Sequence, residues 1–136
     1  MNSTENLLQT ITINGGPELR LYDASKHVAG DRWQVCLIAK MDIPLDKASI
    51  CLDDASREEF IAFKQSLSGP ARFEQKRIRN FIKNTEKENV LQDLVTVFLQ
   101  ETQSYLSHPE FPQKFIMKQF NEHMKRKAWK YKNDDQ

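Results

Sequence analysis

The segment RWQVCLIAKMDI, residues 32–43, alternates apolar side chains with a second, more mixed set along its whole length. Every second residue is apolar in the series Trp33, Val35, Leu37, Ala39, Met41 and Ile43. Because successive side chains of a strand point to opposite faces of its sheet, this period predicts an antiparallel strand with one buried face. Pro44 has no N–H to give to a neighbouring strand and ends the segment. The length of the strand favours a bend or a central place in the sheet.

Two shorter strands precede this segment. Residues 7–14 are rich in β-branched side chains, and residues 18–23 read ELRLYD. The residues Asn14-Gly15-Gly16-Pro17 join them and form a strong turn signal, since glycine accepts a positive φ and proline presets its own. The sequence therefore predicts a β-hairpin. A loop over residues 24–31 follows, with Gly30 as its turn position.

Three helices are predicted in the rest of the chain. The first begins at Asp53-Asp54 and ends at Gly69-Pro70, the second begins after Asn84-Thr85 and ends at His108-Pro109, and the third begins near Pro112. Short polar side chains accept N–H groups at helix starts, and proline suits a first turn. Residues 71–82 fit neither period cleanly. The preceding Gly-Pro and their aromatic and β-branched ends favour a fourth strand over a helix.

The element order β-β-β-α-β-α-α predicts an α+β fold. We expect a mainly antiparallel sheet, made of three N-terminal strands and one later strand, packed against three helices. The last two helices are expected to form a C-terminal helical hairpin that covers one face of the sheet. A single domain is predicted for residues 1–136, with flexible ends at 1–6 and 133–136. The turn at residues 68–70 is the alternative point of division.

Charge and cysteine content favour a cytoplasmic protein. The 20 basic and 19 acidic residues give a net charge of +1, so the chain as a whole has no bias towards nucleic acid or a membrane. The N-terminal residues MNSTENLLQT contain neither a basic region nor a long apolar run, and no segment approaches a membrane span. The only cysteines are Cys36 and Cys51, which are expected to be free thiols in a reducing compartment.

The sequence contains no catalytic, metal or cofactor motif. It lacks a P-loop, the dinucleotide-binding glycine pattern, the nucleophile elbow and the HExxH and CxxC pairs. Its three histidines are far apart, whereas zinc ligands usually come in close local pairs. We therefore expect no cofactor, no metal and no recognisable catalytic residue.

One loop contains a dense set of functional side chains. It carries Asp23, Ser25, Lys26, His27 and Asp31 between two predicted strands. Lys26 and His27 suit an anion, and Ser25 suits a nucleophile if a base lies near it. The alternative is a solvated loop in which Asp and Ser side chains bond their own backbone.

Two segments are locally basic. Residues 72–83 hold five basic residues and one acidic residue, and residues 113–132 hold seven and one. The candidate cations are Arg72, Lys76, Arg77, Arg79, Lys125, Arg126, Lys127 and Lys130. Such cations bind phosphates, and the aromatic residues among them would stack on bases if exposed. We expect Phe73 and Phe81 to lie in the core instead. Both basic segments would then be solvent-exposed faces of their helix or strand, or would contact an acidic protein.

Three blocks of the chain resemble a type of short, uncharacterised bacterial protein. They are LRLYDASKHVAGDRWQVCLIAKMDIPL (residues 19–45), FEQKRIRNFI (residues 73–82) and YLSHPEFPQKF (residues 105–115). The resemblance covers most of the chain. It implies a bacterial origin, but no activity and no functional residue.

The sequence thus leaves three hypotheses for function. The first is a small, non-enzymatic interaction or adaptor domain, whose partner is another protein or a second copy of the chain. The second is a protein that binds RNA or single-stranded DNA through residues 72–83 and 114–132. The third is an enzyme with its site at the loop over residues 23–31.

Overall fold

The structure is a computed structural model, and it describes residues 5–14, 16–45, 54–67 and 69–134. These residues form five strands: β1 (Asn6–Thr12), β2 (Glu18–Asp23), β3 (Lys26–Ala29), β4 (Arg32–Ile43) and β5 (Ala71–Lys83). They also form three helices: α1 (Asp54–Leu67), α2 (Lys87–Leu106) and α3 (Phe111–Asp134). The mainly antiparallel sheet, with its last two helices at the C-terminal end, confirms the predicted α+β class. Of the described helices, none combines the length and the apolar character that a membrane crossing requires.

Some predicted features fall outside the described residues. They are Gly15 of the first turn, Cys51, Asp53 at the first helix start, and residues 1–4 and 135–136 of the predicted tails. Elsewhere in those tails, Asn6 begins β1 and α3 extends to Asp134.

Strand β4 lies at the centre of the sheet. Strands β2 and β3 pair with it in one continuous antiparallel register, from Leu19↔Met41 to His27↔Trp33, so they lie end to end along one edge of β4. Strand β5 therefore occupies the other edge, and β1 pairs with the outer edge of β2. This order places β1 and β5 at the two edges of the described sheet.

The burial of β4 agrees with its central position. Of the predicted inward set, Trp33 is half-buried and the other five residues are buried. Cys36 and Ile38, which belong to the opposite set, are also buried. The period of two therefore predicted the strand correctly, and the burial of both sets at its middle confirms the central place.

The loop predicted over residues 24–31 is wrong in part, because β3 forms inside it. The Ala24 N–H donates to the Cys36 carbonyl at 2.9 Å, and Ser25 Oγ accepts the Cys36 N–H at 3.0 Å. The Ser25 hydroxyl thus replaces a backbone acceptor and carries the β2 register on into β3. Gly30 has a φ of 56° and makes the turn into β4, as expected. The sheet consequently has four N-terminal strands instead of three.

The chain divides into two compact units, one of residues 1–42 and 72–108 and one of residues 43–71 and 109–136. In the first unit, helix α2 packs on the face of β5 that carries Gln75 and Arg77. Gln75 Nε2 donates to the Tyr105 hydroxyl at 3.4 Å, and the Arg77 guanidinium carbon lies 5.4 Å from the Phe98 ring centroid. The buried residues of α2 are Leu94, Val95, Phe98, Thr102 and Leu106.

The second unit contains α1 and α3, which share an aromatic cluster. Phe120 of α3 lies edge-on to Phe60 of α1, with ring centroids 5.2 Å apart, and 5.6 Å from Phe63. An ion pair between Lys127 and Glu59 joins the same two helices. The single domain expected from the sequence stays a prediction.

Candidate functional site

Asp23 and Ser25, two residues of the predicted loop site, shape the break between β2 and β3. Asp23 Oδ1 accepts the Ser25 N–H at 2.9 Å, and Ser25 Oγ accepts the Cys36 N–H. Each side chain therefore bonds backbone in its own neighbourhood, which is the role that short polar residues often have in turns.

The other three residues of the predicted loop site lie on the β3–β4 hairpin. Lys26 and His27 are exposed side chains of β3. The His27 ring stands edge-on to Trp33, with ring centroids 5.5 Å apart. Asp31 lies in the turn and its carboxylate is 3.5 Å from the Arg32 guanidinium. The structure thus spreads the five predicted residues over two places.

A polar hollow of about 330 Å³ lies beside Asp23 and Ser25. We call it the Trp33 hollow, and its lining residues are Asn6, Asp23, Ser25, Trp33, Lys87, Glu88 and Leu91. Strands β1, β2 and β4 supply one part of the lining, and the first turns of α2 supply the other. The Lys87 ammonium nitrogen lies 3.6 Å from the centroid of the Trp33 ring, a close cation–π contact.

The loop does not assemble a nucleophile with its base. A serine nucleophile needs a base within hydrogen-bonding distance of its hydroxyl. In the described residues, the only hydrogen bond of Ser25 Oγ is to the Cys36 N–H, and His27 Nε2 bonds the Gly30 carbonyl instead. Within the described part of the chain, no group of three potential metal ligands comes together either.

The first basic segment lies largely on β5. The arginines in the first half of this strand form ion pairs with other residues of the chain. Arg72 Nε lies 3.2 Å from Asp42, and Arg77 lies 3.3 Å from Glu101 of α2. Asp42 also binds Arg20 at 3.2 Å, so one carboxylate holds two arginines. Half-exposed pairs of this kind contribute little stability, but they do reduce the positive charge available to a partner.

The second half of β5 is different, because its side chains are mostly exposed. Lys76, Arg79 and Lys83 are exposed and form no ion pair with any residue that the structure describes. Phe81 stands between the last two with 78% of its surface exposed and a φ of 58°. The expectation that Phe73 lies in the core is confirmed, while the same expectation for Phe81 is wrong. We call residues 76–83 the β5 ledge.

The second basic segment lies on α3. Lys125, Arg126, Lys127 and Lys130 are all exposed. Lys127 is engaged by Glu59 at 2.9 Å, whereas the other three make no ion pair among the described residues. This segment and the β5 ledge belong to different compact units.

Sequence reasoning missed the contact between Lys87 and Trp33, since the two residues are far apart in the chain. It also missed the exposure of Phe81. The sequence did contain one sign of that exposure, because Phe81 lies between two basic residues, Arg79 and Lys83, each two positions away.

No protein-family model, no curated protein and no solved structure matches this chain. Its function is therefore inferred from its own residues and their geometry.

Proposed function

We propose that this chain is a non-enzymatic binding domain and that its β5 ledge binds single-stranded nucleic acid. The observation that carries the proposal is the conformation of Phe81. A bulky residue at positive φ costs roughly 1–2 kcal/mol, which glycine or asparagine would largely avoid. The ring gains no burial from that conformation, because 78% of its surface stays exposed. A strained and exposed side chain of this kind is typical of functional positions.

The chemistry around the ring supports a nucleic-acid ligand. Single-stranded nucleic acids bind to exposed aromatic faces, on which bases stack, and to cations that hold their phosphates. Arg79 and Lys83 lie two residues before and two residues after the ring, whereas Lys76 points to the opposite face of the strand from Arg79, because side chains three residues apart in a strand lie on opposite faces. The sequence favours a protein partner. The exposed Phe81 ring between two cations is the reason to propose a nucleic-acid ligand in place of a protein partner.

A cytoplasmic location fits the same proposal. Cys36 is a free, buried thiol. Burial raises the pKa of this thiol above its ordinary value, and nearby Lys76 opposes the shift only in part. A buried, protonated thiol is inert and suits the reducing cytoplasm expected from the sequence.

Fluorescence anisotropy with labelled RNA and single-stranded DNA of about 12 nucleotides tests the proposal. We expect micromolar binding at about 50 mM salt, weakened about sevenfold at about 200 mM if Arg79 and Lys83 each contact a phosphate. Replacing Phe81→Asn should weaken binding about tenfold by removing the stacking face. The same change should raise the free energy of unfolding by about 1 kcal/mol, because asparagine tolerates a positive φ. Loss of binding would then not be due to unfolding.

Two further variants serve as charge controls in the same assay. The double change Arg79→Gln and Lys83→Gln should reduce the slope of log Kd against log salt from about 1.4 to about zero. Lys64→Gln removes an exposed lysine of α1 and should leave the slope unchanged. The proposal is wrong if neither nucleic acid binds at low salt, or if Phe81→Asn binds as tightly as the wild type.

A second candidate function is self-association through β1, and the composition of this edge strand favours it. Strand β1 reads NLLQTIT and contains no charge, and Leu7 and Leu8 are 57% and 44% exposed. Natural edge strands usually carry lysine or proline, which prevents pairing with another chain. A bulge near Leu8 leaves residues 9–12 as the regular edge. An uncharged antiparallel edge can pair with the same edge of a second copy across a twofold axis.

Light scattering coupled to size-exclusion chromatography tests this candidate. We expect a dimer of about twice 15.9 kDa at high protein concentration. The double change Leu8→Lys and Thr12→Lys should give a monomer, and Glu18, the cross-strand partner of Thr12, should compensate one of the new charges in the fold. Val97→Lys adds a charge at an exposed site of α2 and should leave the dimer intact. A wild-type monomer at every concentration would exclude this function.

A further inference from the structure

We infer that the Trp33 hollow is a binding site for a small alkylammonium group, held between the Trp33 ring and the carboxylates of Asp23 and Glu88. None of its lining residues belongs to the β5 ledge. The inference is therefore independent of nucleic-acid binding.

An alkylammonium group of the chain itself already occupies the face of the Trp33 ring. The Lys87 side chain is a four-carbon stem that ends in an ammonium, and its nitrogen lies 3.6 Å from the Trp33 centroid. The face of an indole is the aromatic surface that attracts cations most strongly. The chain itself thus demonstrates that a primary ammonium fits this position.

The balance of charge in the Trp33 hollow also favours a cation. The hollow is lined by two carboxylates, Asp23 and Glu88, and by one ammonium, that of Lys87. Neither carboxylate forms an ion pair with a described residue, and Asp23 uses only Oδ1, for the Ser25 N–H. An added cation would find an unpaired carboxylate, whereas a phosphate would meet two negative charges. The hollow consequently favours a cationic ligand.

The size and the polar groups of the Trp33 hollow suit a small ammonium ligand. A volume of about 330 Å³ lies at the lower end of ligand pockets, roughly 300–1,000 Å³. Since a water molecule takes about 30 Å³, this is the volume of about eleven waters, which is ample for a short alkylammonium group. An ammonium donates up to three hydrogen bonds, and Asn6 and Ser25, which also line this space, each carry a side-chain oxygen that can accept one.

Trp33 fluorescence provides the test, in full-length protein with Trp129→Phe so that a single tryptophan reports. The probe is butylammonium, which reproduces the lysine side chain, and butan-1-ol is its neutral control. We expect butylammonium to change Trp33 emission with a Kd on the order of 10 mM, as suits so small a ligand. Butan-1-ol should have no effect. Equal effects of the two probes would overturn the inference, because the ring would then be binding an alkyl chain.

Two substitutions of lining residues are expected to change the affinity for butylammonium in opposite directions. Lys87→Met removes the internal competitor and should tighten butylammonium binding about fivefold. Asp23→Asn keeps the Oδ1 acceptor for Ser25 but removes the charge, and should weaken binding about tenfold. The matched control is Lys64→Met, since Lys64 lies 5.9 Å from the Phe60 ring, outside the hollow, and its loss should change nothing.

Weaker butylammonium binding in Lys87→Met than in the wild type would overturn the inference, because the loss of a competing ammonium should strengthen binding at this site. An unchanged Trp33 emission in both the wild type and Lys87→Met, up to about 100 mM butylammonium, would also overturn it. A second ligand, lysine blocked at both its amino and carboxyl groups, distinguishes the source of the ammonium. Binding of both ligands supports a peptide lysine, and binding of butylammonium alone supports a free amine.

Discussion

Replacing Phe98→Ala is expected to lower the free energy of unfolding by about 3–5 kcal/mol. Phe98 is the largest fully buried side chain of α2, with 1% of its surface exposed. Its removal leaves a cavity between α2 and the sheet and also takes away the ring beneath the Arg77 guanidinium. Since single domains of this kind are stable by only about 5–15 kcal/mol, the loss is a large fraction of the total.

Urea unfolding followed by circular dichroism measures the effect of Phe98→Ala. The matched control is Val97→Ala, the neighbouring residue on the same helix, which is 44% exposed. This control should change the free energy of unfolding by no more than about 0.5 kcal/mol. If Phe98→Ala lost less than about 1 kcal/mol, α2 would not pack on the sheet as described.

Strands in which apolar and polar residues alternate were predictable from local sequence, because burial of one face requires an apolar side chain at every second residue. The segment over residues 32–43 is the strongest case: its length favoured a bend or a central place, and it occupies the central place. Segment 71–82 was ambiguous for a physical reason. Its first half buries Ala71 and Phe73, whereas its second half lies at an exposed sheet edge, where neither face requires apolar residues.

Strand β3 escaped prediction because its register depends on a side chain. Residues 26–29 are exposed and show no apolar pattern. They form a strand because the Ser25 hydroxyl and the Ala24 N–H both bond Cys36 and keep the ladder in register. Local strand propensities do not predict that a serine side chain will hold the following four residues in register with a neighbouring strand.

Some residues of the candidate sites were predictable from the sequence, but the way the fold combines them was not. Sequence reasoning singled out Asp23 and Ser25, but the Trp33 hollow also needs Lys87, which the fold brings to Trp33 from a distant helix. It singled out Arg77, which the fold binds to Glu101. Which cations face a partner depends on contacts between distant residues, and a single sequence does not show these.

The organisation of the chain can be decided with a pair of core variants, one in each compact unit. Each unit is built from two separate chain segments, and the boundaries between the units fall at the ends of β4 and β5. Neither unit is therefore a continuous stretch of the chain, and the sequence predicts that the two unfold together as a single domain. The chain also offers one tryptophan in each unit, Trp33 in the first and Trp129 in the second.

Replacing Phe120→Ala is accordingly expected to lower the free energy of unfolding by about 3–5 kcal/mol, and to do so for the whole chain. Phe120 is 4% exposed, and the change removes its ring contacts with Phe60 and Phe63. With Trp129→Phe as background, Trp33 reports the first unit alone, while circular dichroism reports all helices. Both signals should shift to the same lower urea midpoint, and Ile61→Ala, at a 54% exposed site of α1, should shift neither. A Trp33 transition that stays in place while the helical signal moves would instead show two independently folding domains.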